Sequence, residues 1–183
     1  KNGISCSIQK CNNAFEYCAL LDSLSLPTSL SSISSSLFYH CTRLNFIGIP
    51  STVKSIGDYA FAYCDSLRTL TLPDSLTSIA NYLFESDSHL QQLVLPQTIT
   101  SIGKSAFDEC ERLENLELPA ALTSIGRYAF YNCDGLDSLV IPAKVSKIDD
   151  YAFRACSNLK KIISKAAVPP VTDSPGLADT TLI

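Results

Sequence analysis

Apolar residues recur along the chain in a unit of 23 residues, which continues without insertion from about residue 14 to residue 163. Leucine, isoleucine, proline and phenylalanine each keep one position of the unit. The phenylalanine column consists of Phe15, Phe38, Phe61, Phe84, Phe107, Phe130 and Phe153. A fixed period of this length is typical of a solenoid, in which each unit buries its apolar side against the next.

Each unit divides into two predicted elements. The first, seen as "LRTLTLP" at 67–73, alternates apolar and polar residues and predicts a strand with one buried face, which proline ends by removing a backbone donor. The second, seen as "LTSIGRYAFYNC" at 122–133, has apolar spacings that favour short helical or 3-10 turns, with a brief extended segment around "TSI" as a possible addition. One parallel strand per repeat and a short return segment are therefore predicted.

The segment "VKSIGDYAFAYCDSLRTLTLP" at 53–73 resembles the repeat of the BspA-like (Treponema-type) leucine-rich repeat family. The resemblance implies an α/β solenoid: a right-handed leucine-rich-repeat superhelix with a parallel concave β-sheet and short helical or 3-10 turns on the convex side. It also implies a secreted or cell-surface protein, since members of this family are typically displayed on bacteria or some parasitic protists. Several members are adhesins for host matrix proteins. The resemblance carries no catalytic residue to this chain.

The repeats divide the chain into three predicted parts. Residues 1–13 are expected to form an N-terminal cap or partial repeat, 14–164 about seven repeats, and 165–183 a C-terminal cap or tail. We expect the solenoid to be a monomer.

Composition and motifs exclude several classes of function. The net charge of −4 comes without acidic or basic runs, which argues against nucleic acid as a partner, and no apolar stretch is long enough for a transmembrane segment. GxSxG, HExxH, P-loop and GxGxxG patterns are all missing from the sequence. We therefore expect no enzymatic activity, no cofactor and no metal site.

Six of the eight cysteines share one column, at 18, 41, 64, 110, 133 and 156, and Asp87 takes the seventh place. Neighbouring rungs of such a ladder lie about 5 Å apart with parallel side chains, which disfavours disulfides, so we predict buried, unpaired thiols. An unpaired buried charge is costly, so Asp87 must be hydrogen-bonded or turned outward, and a bulge or loosened turn is expected near residues 83–89. A disulfide between Cys6 and Cys11 remains possible.

Two further columns have alternative interpretations. Serines at 32, 55, 78, 101 and 124 are predicted to satisfy backbone groups rather than to bind a ligand. Tyrosines at 59, 82, 128 and 151 either shield the convex turns or form a recognition strip, and the first interpretation is favoured.

Residues flanking the strand leucines are predicted to face the concave surface, where the residue types vary while the core columns do not. The ligand-binding candidates are Phe46, Thr69, Gln92, Val94, Asn115, Glu117, Val140 and Lys161. Phe46 leads because an aromatic residue at an exposed position has no packing reason to be there. The leading hypothesis is a binding or adhesion module for a protein or glycan ligand, including extracellular matrix proteins. The alternative is a structural spacer within a larger surface protein.

Overall fold

The strands form two parallel stacks, one on each side of the apolar core. Within each stack, strands of neighbouring repeats lie side by side along the long axis of the molecule. The computed structural model describes residues 13–167. Within that range the strands are β1 (Ser23–Ser25), β2 (Ser32–Ile33), β3 (Phe46–Gly48), β4 (Ser55–Ile56), β5 (Thr69–Thr71), β6 (Ser78–Ile79), β7 (Gln92–Val94), β8 (Ser101–Ile102), β9 (Ser124–Ile125), β10 (Ser138–Ile141), β11 (Lys147–Ile148) and β12 (Lys161–Ser164). Of the predicted terminal caps, only residues 13 and 165–167 belong to the described part. Cys6 and Cys11, the possible disulfide partners, lie outside it.

The longer strands form the predicted parallel concave sheet. β1 pairs with β3, β5 with β7, and β10 with β12, each in register with the strand one repeat away. Their central leucine or isoleucine points inward, and Leu70 is 5% exposed while Thr69 and Thr71 on either side are exposed. This alternation places one residue of every pair in the core and the other on the concave face.

The shorter strands form a second, flanking line in the "SI" part of the repeat. β2 pairs with β4, while β6, β8, β9 and β11 form a continuous four-stranded sheet. Hydroxyl-to-backbone bonds lie one position before the predicted serine column: Thr100 donates to the Thr77 carbonyl oxygen at 3.0 Å, and Thr123 to that of Thr100 at 2.8 Å. The serines of the column are left facing outward.

The convex segment forms consecutive turns, and the prediction of helical or 3-10 turns was wrong for every described repeat. Two positions per repeat, two residues before and two residues after the phenylalanine, have positive φ; Tyr59 (59°) and Tyr63 (62°) are examples. This alternation aims backbone N–H groups at the next repeat, as when Phe38 N donates to the Ala60 carbonyl at 2.9 Å. The inter-repeat bonds compensate for left-handed conformations that L-residues otherwise avoid.

A stack of phenylalanine rings occupies the core beneath these turns. Neighbouring rings from Phe15 to Phe153 have centroids 5.2–5.9 Å apart and interplanar angles of 3–15°. Such nearly parallel rings can stack with a lateral offset, which is a favourable aromatic arrangement. The five internal rings are fully buried. Identical residues therefore contact one another along the whole described solenoid, which accounts for the strict 23-residue spacing.

The prediction of one concave strand per repeat was wrong for the repeat of Phe107. Residues 115–117 form no strand, and Asn115 has a φ of 50°. Asparagine is among the residues that most readily adopt this left-handed conformation. The concave sheet is consequently interrupted between β7 and β10, and it is also divided between β3 and β5, which do not pair.

The expected distortion near residues 83–89 is likewise not seen. Leu83 is 1% exposed and Phe84 keeps its place in the ring stack. The turn bonds to the next repeat are also retained, with Phe84 N 2.9 Å from the Ala106 carbonyl oxygen. The backbone of this repeat therefore accommodates Asp87 without a bulge.

Candidate binding surface

Six of the eight predicted binding residues lie on the concave strands, and the other two, Asn115 and Glu117, lie in the segment 115–117 that forms no strand. All eight are exposed, and the strand register sets one pair of them, Thr69 and Gln92, side by side. Val94 and Lys161 stand opposite Thr71 and Ser138, which are not among the candidates. The set comprises Phe46, Thr69, Gln92, Val94, Asn115, Glu117, Val140 and Lys161. Short parallel strands hold the six members outside residues 115–117 in fixed order, so most of the face is a preformed surface.

Three apolar side chains are exposed on this face. Phe46 is 59% exposed, Val94 is 73% exposed and Val140 is 40% exposed. Polar residues such as Thr69 and Gln92 stand between them. Aromatic and aliphatic groups with a polar surround are the usual composition of a protein-binding patch.

A groove of about 500 Å³ runs beside Phe46, between β3 and β5. Gly48 lies in it, and an added Cβ there would meet nothing within 4 Å. The missing side chain leaves a depression next to the exposed ring, bordered by Thr71 and Asp74. This depression can receive a side chain of a partner while the ring of Phe46 covers it. Sequence reasoning selected Phe46 but missed the contribution of Gly48, whose signal was a glycine in a column of larger residues.

The cysteines of the column have a structural role, and their thiols have low reactivity. All six described cysteines are free, as predicted. The Cys133 thiol donates to the Phe107 carbonyl oxygen at 3.0 Å, and Cys41, Cys64, Cys110 and Cys156 make the same bond 26 residues back. Burial raises the pKa of Cys41 and of Cys156 to about 11 and that of Cys64, Cys110 and Cys133 well above its usual value. Since the thiolate is the nucleophile, these thiols are unsuited to catalysis.

We expect the native protein to show this protection directly. A C6S/C11S variant, which leaves only the column cysteines, should be labelled by a thiol reagent first at Cys18, which is partly exposed. Cys41, Cys64, Cys110 and Cys133 should be labelled only after denaturation, because they are buried and protonated. Mass spectrometry of the labelled protein counts the modified sites. Prompt labelling of any of these four in the native state would contradict the packing.

Asp87 is the single charged residue that is fully buried in the described part of the chain. Its Oδ1 accepts the N–H of Cys64 at 2.6 Å, so the expected hydrogen bond is present, while its Oδ2 has no partner. Burial raises the pKa of the Asp87 carboxyl well above its usual value, Asp65 raises it further, and the bond from Cys64 opposes both. The environment of Asp87 therefore favours the neutral form of its carboxyl.

No group of three or more His, Cys, Asp or Glu side chains in residues 13–167 could hold a metal ion. Nor do the same residues include a helix of the length and apolarity that crossing a bilayer requires.

Stacked parallel strands, a leucine-lined core and a concave face of varied residues define the class: the chain is a leucine-rich repeat solenoid. More specifically, it belongs to the family described as the BspA type leucine-rich repeat region, whose model matches residues 9–98 and 78–173 with six copies. Leucine-rich repeat proteins of this kind are typical of cell surfaces and serve mainly in protein binding or structural roles. No protein of curated function shows a match to the chain.

Solved structures agree with this assignment. A leucine-rich repeat protein of T. pallidum is 30% identical, with a TM-score of 0.75, over 82% of this chain and 72% of its own. A leucine-rich cell surface protein of Faecalibacterium prausnitzii is 25% identical, with a TM-score of 0.53, over 79% of this chain and 55% of its own. The pneumococcal vaccine antigen PcpA, 21% identical with a TM-score of 0.51, covers 79% of this chain and 51% of its own, and shows likeness of fold alone.

Proposed function

We propose that the chain is a non-enzymatic protein-binding module of a secreted or cell-surface protein, and that it binds its partner on the concave face. The observation that carries the proposal is the exposed ring of Phe46 beside the depression at Gly48. A large aromatic group in water beside an open groove has no role in folding, whereas at an interface it provides an anchor.

The rest of the face supports the same proposal. Val94 and Val140 extend the apolar surface along the solenoid, and Thr69, Gln92 and Asn115 supply hydrogen-bonding groups between them. Glu117 and Lys161 are the charged members, of opposite sign. A face with apolar anchors and few charges suits a folded protein surface better than a highly charged ligand. Extracellular matrix proteins are the partners we propose to test first, with neutral glycans second.

Surface display is supported by the relatives. The Faecalibacterium prausnitzii protein is described as a cell surface protein, and the present chain shares its fold at 25% identity. A secreted or displayed module meets partners outside the cell, which is consistent with a rigid, preformed binding face.

Binding to a panel of immobilised extracellular matrix proteins tests the proposal. The native chain is compared with F46S and V94S variants and with an L20S control, because Leu20 is 80% exposed but lies outside the concave strands. If Phe46 is an anchor, F46S should weaken binding about tenfold or more, while L20S should have no effect. Equal weakening by all three variants, or binding that survives F46S and V94S together, would contradict a concave-face site. Failure to bind any matrix protein or glycan would favour the spacer alternative.

A further inference from the structure

A second groove lies on the flanking face, away from the concave strands. It has a volume of about 360 Å³ and runs over the "SI" strands between β8 and β11. Its lining includes three basic side chains, Lys104, Arg127 and Lys147, together with Ser124. The concave-face proposal makes no use of this groove.

Close packing of successive turns brings two of the cations together. A Cβ added at Gly126 would lie 2.7 Å from the backbone of Gly103 in the preceding repeat, so these turns approach too closely for any side chain. Arg127 and Lys104 directly follow the two glycines. Their side chains therefore emerge from adjacent turns, whose backbones are spaced about 4.8 Å apart in a parallel sheet.

Within residues 13–167, neither Lys104 nor Arg127 forms an ion pair. Among the described residues the one ion pair joins Lys147 to Asp149 at 2.7 Å, which neutralises the acid within the groove. Glu85 interacts electrostatically with Lys104. Burial raises the pKa of the Glu85 carboxyl, Asp108 and Glu109 raise it further, and Lys104 lowers it. The groove thus holds two cations without an ion-pair partner among the described residues, on a protein whose net charge is −4.

Tyrosine rings hold these cations in place. The Arg127 guanidinium lies 4.9 Å from the ring centroid of Tyr128 and 5.6 Å from that of Tyr151, and the Lys104 ammonium lies 5.1 Å from that of Tyr82. A guanidinium stacked on aromatic faces keeps its N–H edge free for an oxygen acceptor. The cations are therefore positioned in advance, which lowers the entropy lost when an anion binds.

The neighbouring groups favour a carbohydrate over a peptide. The Ser124 side chain lines the groove beside the cations, and its hydroxyl can contact ligand hydroxyls. β8 and β9 are each paired on both sides, so an extended peptide cannot add to them as a further strand. A ligand must be recognised through side chains alone, by cations and hydroxyls, which match the alternating acid and hydroxyl groups of an acidic polysaccharide.

We propose that this groove binds the carboxylate or sulfate groups of an acidic polysaccharide, with Lys104 and Arg127 as the principal contacts. The site is independent of the concave face, so the module would carry two binding surfaces for different chemistry.

Calorimetric titration of the full chain with two probes tests the site: a heparin-derived oligosaccharide, which carries sulfate, and an oligogalacturonate, which carries carboxylate alone. We expect saturable binding of at least one probe that weakens as salt rises. A K104Q/R127Q variant should lose affinity by about tenfold or more, because it removes two charge-assisted contacts. The control R112Q/K144Q removes the same charge from two exposed residues outside the groove and should bind like the native chain.

Each result decides the proposal. Loss confined to K104Q/R127Q supports it, and the preferred probe distinguishes sulfate from carboxylate. Absence of saturable binding, or equal loss in the control, overturns it. If oligoglutamate binds through the same two residues at least as tightly as either saccharide, the ligand is an acidic peptide and the polysaccharide assignment is wrong. F46S should leave saccharide binding unchanged, which separates this site from the concave one.

Discussion

Replacing Phe107 with alanine should destabilise the solenoid more than any surface change, by about 3–5 kcal/mol. The ring is fully buried and stacks on Phe84 at 5.5 Å and on Phe130 at 5.2 Å. Its loss removes apolar burial, leaves a cavity and weakens the interfaces on both sides of one repeat. Because each repeat contacts only its neighbours, stability depends on the sum of such interfaces, and a central defect divides the array.

The ends of the stack provide the matched control. Phe153 has one ring neighbour within the described residues, Phe130 at 5.4 Å, and it is slightly more exposed at 4%. F153A should therefore lower the free energy of unfolding less than F107A does. F107L keeps most of the apolar volume, so it should also be less destabilising than F107A. Urea denaturation followed by circular dichroism gives the three free energies of unfolding. If F107A and F153A were equally destabilising, the stack would not act as a chain of nearest-neighbour contacts.

The regular part of this fold could be predicted because each buried position is repeated. The phenylalanine, leucine and cysteine columns each identify the same environment several times, so a period of 23 residues indicates stacking without further information. The concave candidates followed from strand alternation around residues such as Leu70, and all eight are exposed, six of them on the concave strands. Their role in binding remains a prediction.

The convex turns could not be predicted in the same way. Left-handed positions are usually identified by glycine, but here they are held by tyrosine, serine and other residues, including Tyr59 and Tyr63. Their conformation is set by hydrogen bonds to the next repeat, which apolar spacing does not show. For the basic groove, the period of 23 residues does place Lys104 and Arg127 in adjacent repeats, but it does not show that their cations lie over the rings of Tyr82 and Tyr128.

Asp87 should make the free energy of unfolding depend on pH in a direction opposite to that of a salt-bridged acid. Its pKa is raised in the folded state by burial, so the folded chain holds its proton at pH values where the unfolded chain, with a pKa of about 3.9, has released it. Stability from this residue is greatest below that value. It falls as pH rises towards the folded-state pKa, with a limiting slope of about 1.4 kcal/mol per pH unit for one proton.

Substitution at Asp87 isolates this contribution. D87N keeps an oxygen acceptor for the Cys64 N–H without an ionisable group, and D87C restores the thiol present in the other rungs. Both variants should be more stable than the native chain at neutral pH, by about 1–3 kcal/mol, because neither carries a carboxyl that must take up a proton on folding. D87N still places an unpartnered amide group where Oδ2 lies, so its gain should be the smaller of the two. The advantage should shrink as pH falls to 4 or below, where Asp87 is protonated in both states.

Urea denaturation at a series of pH values measures the difference, with D74N as the control for removing an exposed carboxyl. Other acids with raised pKa, such as Glu85 and Asp108, affect the native chain and the variants alike, so they cancel in the comparison. Parallel stability curves for the native chain and D87N would show that Asp87 is ionised or solvated in the fold. Stability curves that converge at low pH would show that Asp87 is a neutral acid in the fold. They would also show that its destabilising effect disappears only under acidic conditions.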